Sequence, residues 1–440
     1  AEFFQRDSIE SMATHLSQRS GAAADDEHLI KVRTGGSQPP LFLVHEFSGQ
    51  DLYFPALGRH IAEGIPVYGL PGLALGQEQL QTMHCLAARL VKIIRSVQPH
   101  GPYRLAGWSF GGVLAYEIAA QLLGADETVE FLGLIDTYVP RLADQGKARW
   151  SDRHAGKRQL LLLCTQYWTG QGTAGEAALG QLQALEQSLE QLDFDSLLQT
   201  CREQQLLYPQ IAAAADRDVR HYLEREVGHG HAMAHYSLAP LPVPLHLFVA
   251  QERPPALAHL SQTLGWAEVL APERLQCIGV PGDHQSMMKA PHIAALGQAI
   301  SAAIEASAAW VKAQPPSRHQ PLLPLQNGQP GHAPIFCVPG AGDSVTGFIG
   351  LTQALGPQWP IMGLQPRGLD GEAVPHSDVE SAAEHYLEAL ERHCPDGPLH
   401  LLGHSFGGWV ACEMAARLQA QGREVASLTL FDSESPGGNG

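Results

Sequence analysis

Two stretches of this chain share one pattern: residues 103–120, YRLAGWSFGGVLAYEIAA, and residues 399–416, LHLLGHSFGGWVACEMAA. Each opens on a short apolar run that reads as a strand. Each then turns through G-x-S-x-G and continues as an apolar helix. In that setting the pattern lifts a serine hydroxyl onto a strained turn at the end of a strand. The glycines suit a turn that leaves no room for Cβ atoms. The serines are Ser109 and Ser405. The N–H of the residue after each, Phe110 or Phe406, opens the helix and points at whatever the serine attacks. One such turn is weak evidence, but two in matching contexts argue against a chance Gly-rich loop.

The repeat extends beyond the turns. Ser109 and Ser405 stand 296 residues apart, as do Asp136 and Asp432, and Val44 and Val338 stand 294 apart. Apolar strand-like runs occur at Leu41–Val44, 67–69, 103–106, 131–135, Leu245–Ala250 and Leu275–Val280, with helical stretches such as 80–97 and 112–123 between them. This alternation predicts an α/β fold, a mostly parallel sheet with helices on both faces. Residues 141–235 break the alternation and show no strand pattern. Leu182, Leu185, Leu189 and Leu192 form a helical stripe there, and strands resume directly afterwards, so the segment is expected to be a mobile helical lid. After the Pro- and Gln-rich stretch 313–331, Ile335–Val338 restarts the strand pattern.

The predicted organisation is therefore a helix at 1–20 from an upstream domain, a linker at 21–40, a first domain at 41–312, a linker at 313–331 and a truncated second copy at 332–440. In the first segment Asp7 can cap a helix whose Ile9, Met12, Ala13 and Leu16 fall on one face. Alone it could not bury that face. The second copy ends before any lid, and its apolar segment 427–431 is expected to be an unpaired edge prone to association.

Composition excludes several classes. The formal net charge of −17 lacks the basic footprint of a nucleic-acid binder. No apolar run reaches the roughly 18 residues needed to span a bilayer, and no secretory leader is visible. The seven cysteines are scattered without C-x-x-C spacing and read as reduced residues of a cytoplasmic protein. His229, His231 and His235 are the densest histidine cluster. They read as a polar helix end in a mobile segment, with metal binding the lesser alternative.

A serine hydroxyl is a poor nucleophile until a neighbouring base takes its proton and a third group orients that base. The order expected around this type of turn is Ser, then Asp or Glu, then His. Asp136 ends the strand-like run 131–135, at the same sheet edge as Ser109. Glu252, one strand later, is the alternative acid, but Asp136 is preferred because Asp432 repeats it at identical spacing. His284, in VPGDHQSMM, follows the strand Leu275–Val280 and is the candidate base. His292 is its rival, and His45 precedes the serine and breaks the order. Asp283 reads as loop structure. Two N–H donors are needed for a tetrahedral oxyanion, and Phe47 and Phe110 are the candidates.

Together VHEFSG, GWSFGG, LIDTYVP and GDHQSMM resemble the terminal thioesterase domains of nonribosomal peptide synthetases and related polyketide synthases, which have the α/β-hydrolase fold. The resemblance covers residues 29–310 fully and 332–436 in part. It implies that 1–20 is the last helix of a carrier protein and that Ser109 takes a peptidyl or acyl chain from the carrier's phosphopantetheine. His284 then activates water, or an amine or hydroxyl of the chain itself. No bound cofactor or metal is implied. Glu46 and Phe47 depart from the small or proline residues usual in that loop. The second copy offers Ser405, Asp432 and an oxyanion hole at Ala341 and Phe406, but no histidine equivalent to His284, so it is expected to be silent. A discrete editing thioesterase, a small-molecule serine esterase and a non-enzymatic scaffold are the competing readings.

Overall fold

The computed structural model of the chain describes residues 29–49, 53–77, 79–140, 150–169, 171–253, 261–313, 319, 321–369 and 373–434. The expected carrier helix at 1–20 lies outside them.

The first unit opens with β1 (Ile30–Arg33), β2 (Leu41–Val44), α1 (Tyr53–Gly58), β3 (Val67–Leu70), α2 (Met83–Val97), β4 (Tyr103–Trp108), α3 (Phe110–Gly124) and β5 (Val129–Ile135). Five helices follow: α4 (Ala155–Trp168), α5 (Gly172–Gln187), α6 (Phe194–Glu203), α7 (Pro209–Ala212) and α8 (Asp216–Ala234). β6 (Leu245–Ala250), β7 (Leu275–Val280) and α9 (Ile293–Ala313) complete it. The sheet order is β1-β3-β2-β4-β5-β6-β7. Only β1 runs antiparallel to its neighbour.

Period-two sidedness explains why β2 is apolar throughout. Leu41 and Leu43 pack with Phe54 of α1 and Leu296 of α9, whereas Phe42 and Val44 pack with Leu90 of α2 and Leu114 of α3. All four β2 residues are fully buried. Burying each such side chain contributes roughly 1.5–3 kcal/mol, so the centre of the sheet resists opening most.

The helices α4–α8 occupy the expected lid segment, and its described residues contain no strand. They share a core of their own, with Leu160, Leu182, Leu185, Leu197, Leu198 and Leu223 buried together. Cys164 and Cys201 lie in it, and burial pushes their thiols up to about 12 and about 11. The lid is therefore a packed subdomain, and α8 joins it to the rest of the unit through Arg225, which donates to the Leu73 carbonyl, and His229, which donates to the Phe47 carbonyl.

The second unit repeats the first. β8 (Leu322–Gln326), β9 (Ile335–Val338), α10 (Ile349–Leu355), β10 (Ile361–Leu364), α11 (Val379–His393), β11 (Leu399–His404), α12 (Phe406–Ala420) and β12 (Val425–Phe431) follow in order. The sheet order β12-β11-β9-β10-β8 matches β5-β4-β2-β3-β1 element for element. The burial differs. β5 is buried along its whole length, while Leu428, Leu430 and Phe431 of β12 are 40%, 45% and 43% exposed.

Both expected linkers need correction. Ile30–Arg33 lies in the stretch 21–40 and pairs with β3, and Leu322–Gln326 lies in the stretch 313–331 and pairs with β10. Both are antiparallel edge strands, half-exposed and so without a continuous apolar run. Pro324 in β8 reads as a breaker but is tolerated at a sheet edge.

The two units touch at the end of α3. Arg367 donates to the Leu123 and Gly124 carbonyls at 2.8 and 3.2 Å and pairs with Asp126. Ser377 N–H donates to the Gly124 carbonyl at 3.1 Å. A Cβ at Gly124 would meet Ser377 Cβ at 2.7 Å, so this close approach requires glycine. His376 and His385 line the same contact. Burial lowers the pKa of each to about 4, assisted by Arg367 beside His376 and by His376 beside His385.

Candidate active site

Ser109 sits at φ 56°, ψ −119°, between the end of β4 and the first residue of α3. Its N–H donates to the Ile135 carbonyl at 2.9 Å, and Thr137 Oγ1 donates to its carbonyl at 3.1 Å. A Cβ at Gly107 would meet the Gly111 carbonyl oxygen at 2.0 Å, and one at Gly111 would meet that of His45 at 2.4 Å. The turn therefore closes only with glycine at both places, which fixes the serine at the sheet edge.

Asp136 follows β5, is 2% exposed, and is held at φ 42°. Its Oδ1 accepts the Ala250 N–H at 3.0 Å and its Oδ2 accepts His284 Nδ1–H at 2.7 Å. Its own N–H donates to the Phe248 carbonyl at 2.7 Å. The carboxylate is thus fixed between β5 and β6 with one oxygen turned to the histidine. The His284 ring lies on Trp108, centroids 5.3 Å apart, and its side chain is 32% exposed. With Nδ1 committed to Asp136, Nε2 is the nitrogen left for another partner. No hydrogen bond joins Ser109 Oγ to His284 among the described residues, a looseness common in unliganded sites.

The rival residues make other contacts. Glu252 is exposed, and its N–H donates to the Gly282 carbonyl at 3.0 Å. His292 packs beside Gly282. His45 is 1% exposed, and burial first, then the neighbouring His229, lowers its pKa well below the usual imidazole value. Asp283 accepts the N–H groups of Gln285 and Ser286, as loop structure would.

The loop carrying Phe47 is shaped by Glu46, whose carboxylate accepts both the N–H and the hydroxyl of Ser48. The Phe47 ring meets that of Phe110 edge-on at 5.6 Å. Among the described residues, the N–H groups of Phe47 and Phe110 have no acceptor. They are the two candidate oxyanion donors.

His229 is a site residue that sequence reasoning misplaced. It lies within α8, not at a mobile helix end, and is 1% exposed. Its Nδ1–H donates to the Phe47 carbonyl at 2.8 Å and its ring stacks on Phe110 at 4.7 Å. Burial lowers its pKa to about 4. The available signal was glycine on both sides: a Cβ at Gly230 would meet the Trp150 ring at 2.4 Å.

The second unit repeats the backbone geometry but not the pair. Ser405 has φ 53°, ψ −122°, and Asp432 has φ 48°. Ser433 Oγ donates to the Ser405 carbonyl at 2.9 Å, as Thr137 does for Ser109. Asp432, Ser405 and Ala341 are exposed and Phe406 is half-buried. No histidine hydrogen-bonds Asp432 among the described residues. His404 faces Asp343 instead, at 3.6 Å.

The thioesterase domain family matches residues 39–304 and again 333–439. The chain belongs to the thioesterase domain family. Among curated proteins, this thioesterase chain is 39% identical over 137 residues to a dimodular nonribosomal peptide synthase of Bacillus subtilis (strain 168), covering 31% of this chain and 6% of that protein. It is 42% identical over 109 residues to the vanchrobactin synthetase VabF of Vibrio anguillarum, covering 24% and 4%. The thioesterase chain thus spans a small fraction of the length of these relatives. Among solved structures, a four-domain nonribosomal peptide synthetase, AB3403, bound to AMP and glycine aligns with a TM-score of 0.52 at 24% identity, over 67% of this chain and 21% of that one. The NocB thioesterase domain aligns with a TM-score of 0.40 at 24% identity, over 63% and 98%. Two mostly parallel sheets flanked by helices accord with the α/β-hydrolase fold. No helix among the described residues is long and apolar enough to cross a membrane.

Proposed function

We propose that the chain is a releasing thioesterase of a nonribosomal peptide synthetase, with Ser109, His284 and Asp136 as a catalytic triad. The observation that carries the reading is the 2.7 Å pair between His284 Nδ1 and Asp136 Oδ2, at the sheet edge where the Ser109 turn ends, in a chain of the thioesterase family. His284 Nε2 takes the Ser109 proton as Oγ bonds to the thioester carbonyl carbon. The C–S bond then breaks, and the departing phosphopantetheine thiol receives that proton from His284. The product is an acyl ester of Ser109.

In the second half, water or an amine or hydroxyl of the chain gives its proton to His284 and attacks the ester. The C–O bond to Ser109 breaks and the proton returns to Oγ. A free acid or a macrocycle leaves. Asp136 keeps the imidazole in the Nδ1–H form and stabilises the imidazolium that forms in each half. The N–H groups of Phe47 and Phe110 receive the oxyanion. The lid helices exclude water, which favours an internal nucleophile. The substrate arrives on a carrier protein in the cytoplasm, and the chain itself needs no resident cofactor for these steps.

A fluorophosphonate probe tests the nucleophile, because it phosphonylates an activated serine. Peptide mass spectrometry should find the label on Ser109, and Ser109→Ala should abolish acyl-enzyme formation with a loss of roughly 10⁶ in kcat. A label elsewhere in residues 29–310 overturns the assignment. The intact mass of products from a synthetic peptidyl thioester separates the two routes, since a macrocycle lacks the water that an acid carries.

A further inference from the structure

Away from Ser109, one side chain of the first unit and two of the second meet where the two units touch. Asp126 closes α3 at φ 59°, His376 precedes α11, and His385 lies within α11. One ligand atom from each falls within 4.8 Å of the others, and this is the one such group of three among the described residues. Asp126 Oδ2 and His376 Nε2 are 3.2 Å apart. The His376 and His385 rings have centroids 5.2 Å apart.

We propose that Asp126, His376 and His385 form a binding site for a divalent zinc ion that ties the two thioesterase units together. Two observations point to a ligand. First, the Nε2 atoms of His376 and of His385 are both buried without a hydrogen-bond partner. Buried polar atoms are nearly always satisfied, and leaving one unpaired costs about 1–3 kcal/mol. Two rings that each hold an unpaired nitrogen, grouped with one carboxylate, are what an ion would satisfy together. Second, the His376 side chain is 4% exposed and its Nε2 faces Asp126, so the atom is held in place inside the contact.

The spacing suits zinc. Ligands about 2.0–2.1 Å from a tetrahedral ion lie about 3.4 Å from one another. The 3.2 Å pair already meets that separation, and the third ligand atom lies within 4.8 Å of both. Two imidazole nitrogens and one carboxylate oxygen form a zinc donor set, with water completing four.

Arg367 is the feature that opposes a cation. It pairs with Asp126 through Oδ1 and leaves Oδ2 to face His376. A carboxylate that ligates a metal is commonly held by such an outer hydrogen bond. Asp378 lies close enough to act on both Arg367 and His376, and its charge offsets part of the repulsion. The His231–His235 pair, with rings 4.3 Å apart at the C-terminal end of α8, has no third ligand among the described residues and serves as the control.

The test uses the full chain, loaded with zinc, desalted and analysed for metal by plasma mass spectrometry. We expect close to one equivalent in the wild type and in His231→Ala/His235→Ala. His376→Ala/His385→Ala should retain less than a tenth of that, with unchanged far-ultraviolet circular dichroism. Cobalt substitution reads the coordination directly: the intense visible absorption of a four-coordinate ion should appear in the wild type and vanish in His385→Asn, with the far-ultraviolet circular dichroism of the variant unchanged. Absence of bound zinc in the wild type, or zinc retained when His376 and His385 are replaced, overturns the proposal. So does a cobalt spectrum unchanged in His385→Asn.

Discussion

His229 donates its Nδ1–H to the Phe47 carbonyl across 2.8 Å while its ring lies flat on Phe110. One side chain of the lid thus holds both residues proposed to receive the oxyanion. The ring is neutral near pH 7 because burial lowers its pKa to about 4, so Nδ1 carries the single proton. Removing an oxyanion donor outright costs about 10²–10³ in kcat. Loss of a group that only positions the donor should cost less. We expect His229→Leu to lower kcat about 10- to 100-fold with little change in KM. His229→Asn should recover most of it, because its amide nitrogen reaches nearly the place of Nδ1. Stopped-flow acylation with a peptidyl thioester measures this. If His229→Leu lowers only the melting temperature and leaves kcat intact, the residue is packing alone.

Asp136 and Glu252 make opposite predictions. Asp136 is buried between β5 and β6 with both oxygens engaged, whereas Glu252 is exposed. Asp136→Asn should fold normally and lose about 10⁴ in turnover, because the amide no longer holds the Nδ1–H tautomer. Glu252→Gln should fall by less than about threefold. Steady-state thioester hydrolysis by the two variants decides between them, and the reverse ranking would move the acid to the later strand.

The residues that sequence reasoning located and those it missed differ in what determines them. The central strands were legible because a buried parallel strand must be apolar on both faces, as Leu41–Val44 is. Asp136 was legible through its copy at Asp432, and its place follows from the end of a strand. The edge strands Ile30–Arg33 and Leu322–Gln326 were missed because an edge strand needs no apolar run. His229 was missed for a different reason. Its contact with Phe47 depends on α8 docking against a loop 182 residues earlier, and no local pattern reports that contact. The meeting of Asp126 with His376 and His385 has the same origin in long-range packing.

Buried neutral histidines make the fold sensitive to acid. His229 and His246 each have a pKa lowered to about 4, chiefly by burial, against about 6.5 when unfolded. Between those values the unfolded chain holds protons that the folded chain refuses. Stability is therefore fully present above pH 6.5 and declines as the pH falls towards 4, by up to about 1.4 kcal/mol per unit for each such group. Melting temperature should drop steadily from pH 7 to pH 5. The His246 ring packs on Phe131 with centroids 5.3 Å apart, so His246→Phe keeps the packing and removes one titrating group. Its melting curve should depend less steeply on pH than that of the wild type. An equal slope would show that His246 is not a source of the acid sensitivity.

The second unit is expected to contribute no turnover of its own. Ser405 has the elbow angles of Ser109 to within a few degrees, so the backbone of a nucleophile is present. The difference lies in the acid and the base. Asp136 is fixed by the Ala250 N–H and paired with His284, whereas Asp432 is exposed and hydrogen-bonds no histidine among the described residues. The nearby His404 precedes Ser405 directly and faces Asp343. Borrowing His284 would leave Ser109 without its base. A serine hydroxyl without a base has little nucleophilicity at neutral pH. Ser109→Ala should therefore abolish thioester hydrolysis by the whole chain, and adding Ser405→Ala should change nothing further. Fluorophosphonate should leave Ser405 unlabelled in the single variant. Residual turnover in Ser109→Ala that disappears on Ser405→Ala would show that this serine works without a histidine, and the argument from the missing base would fail.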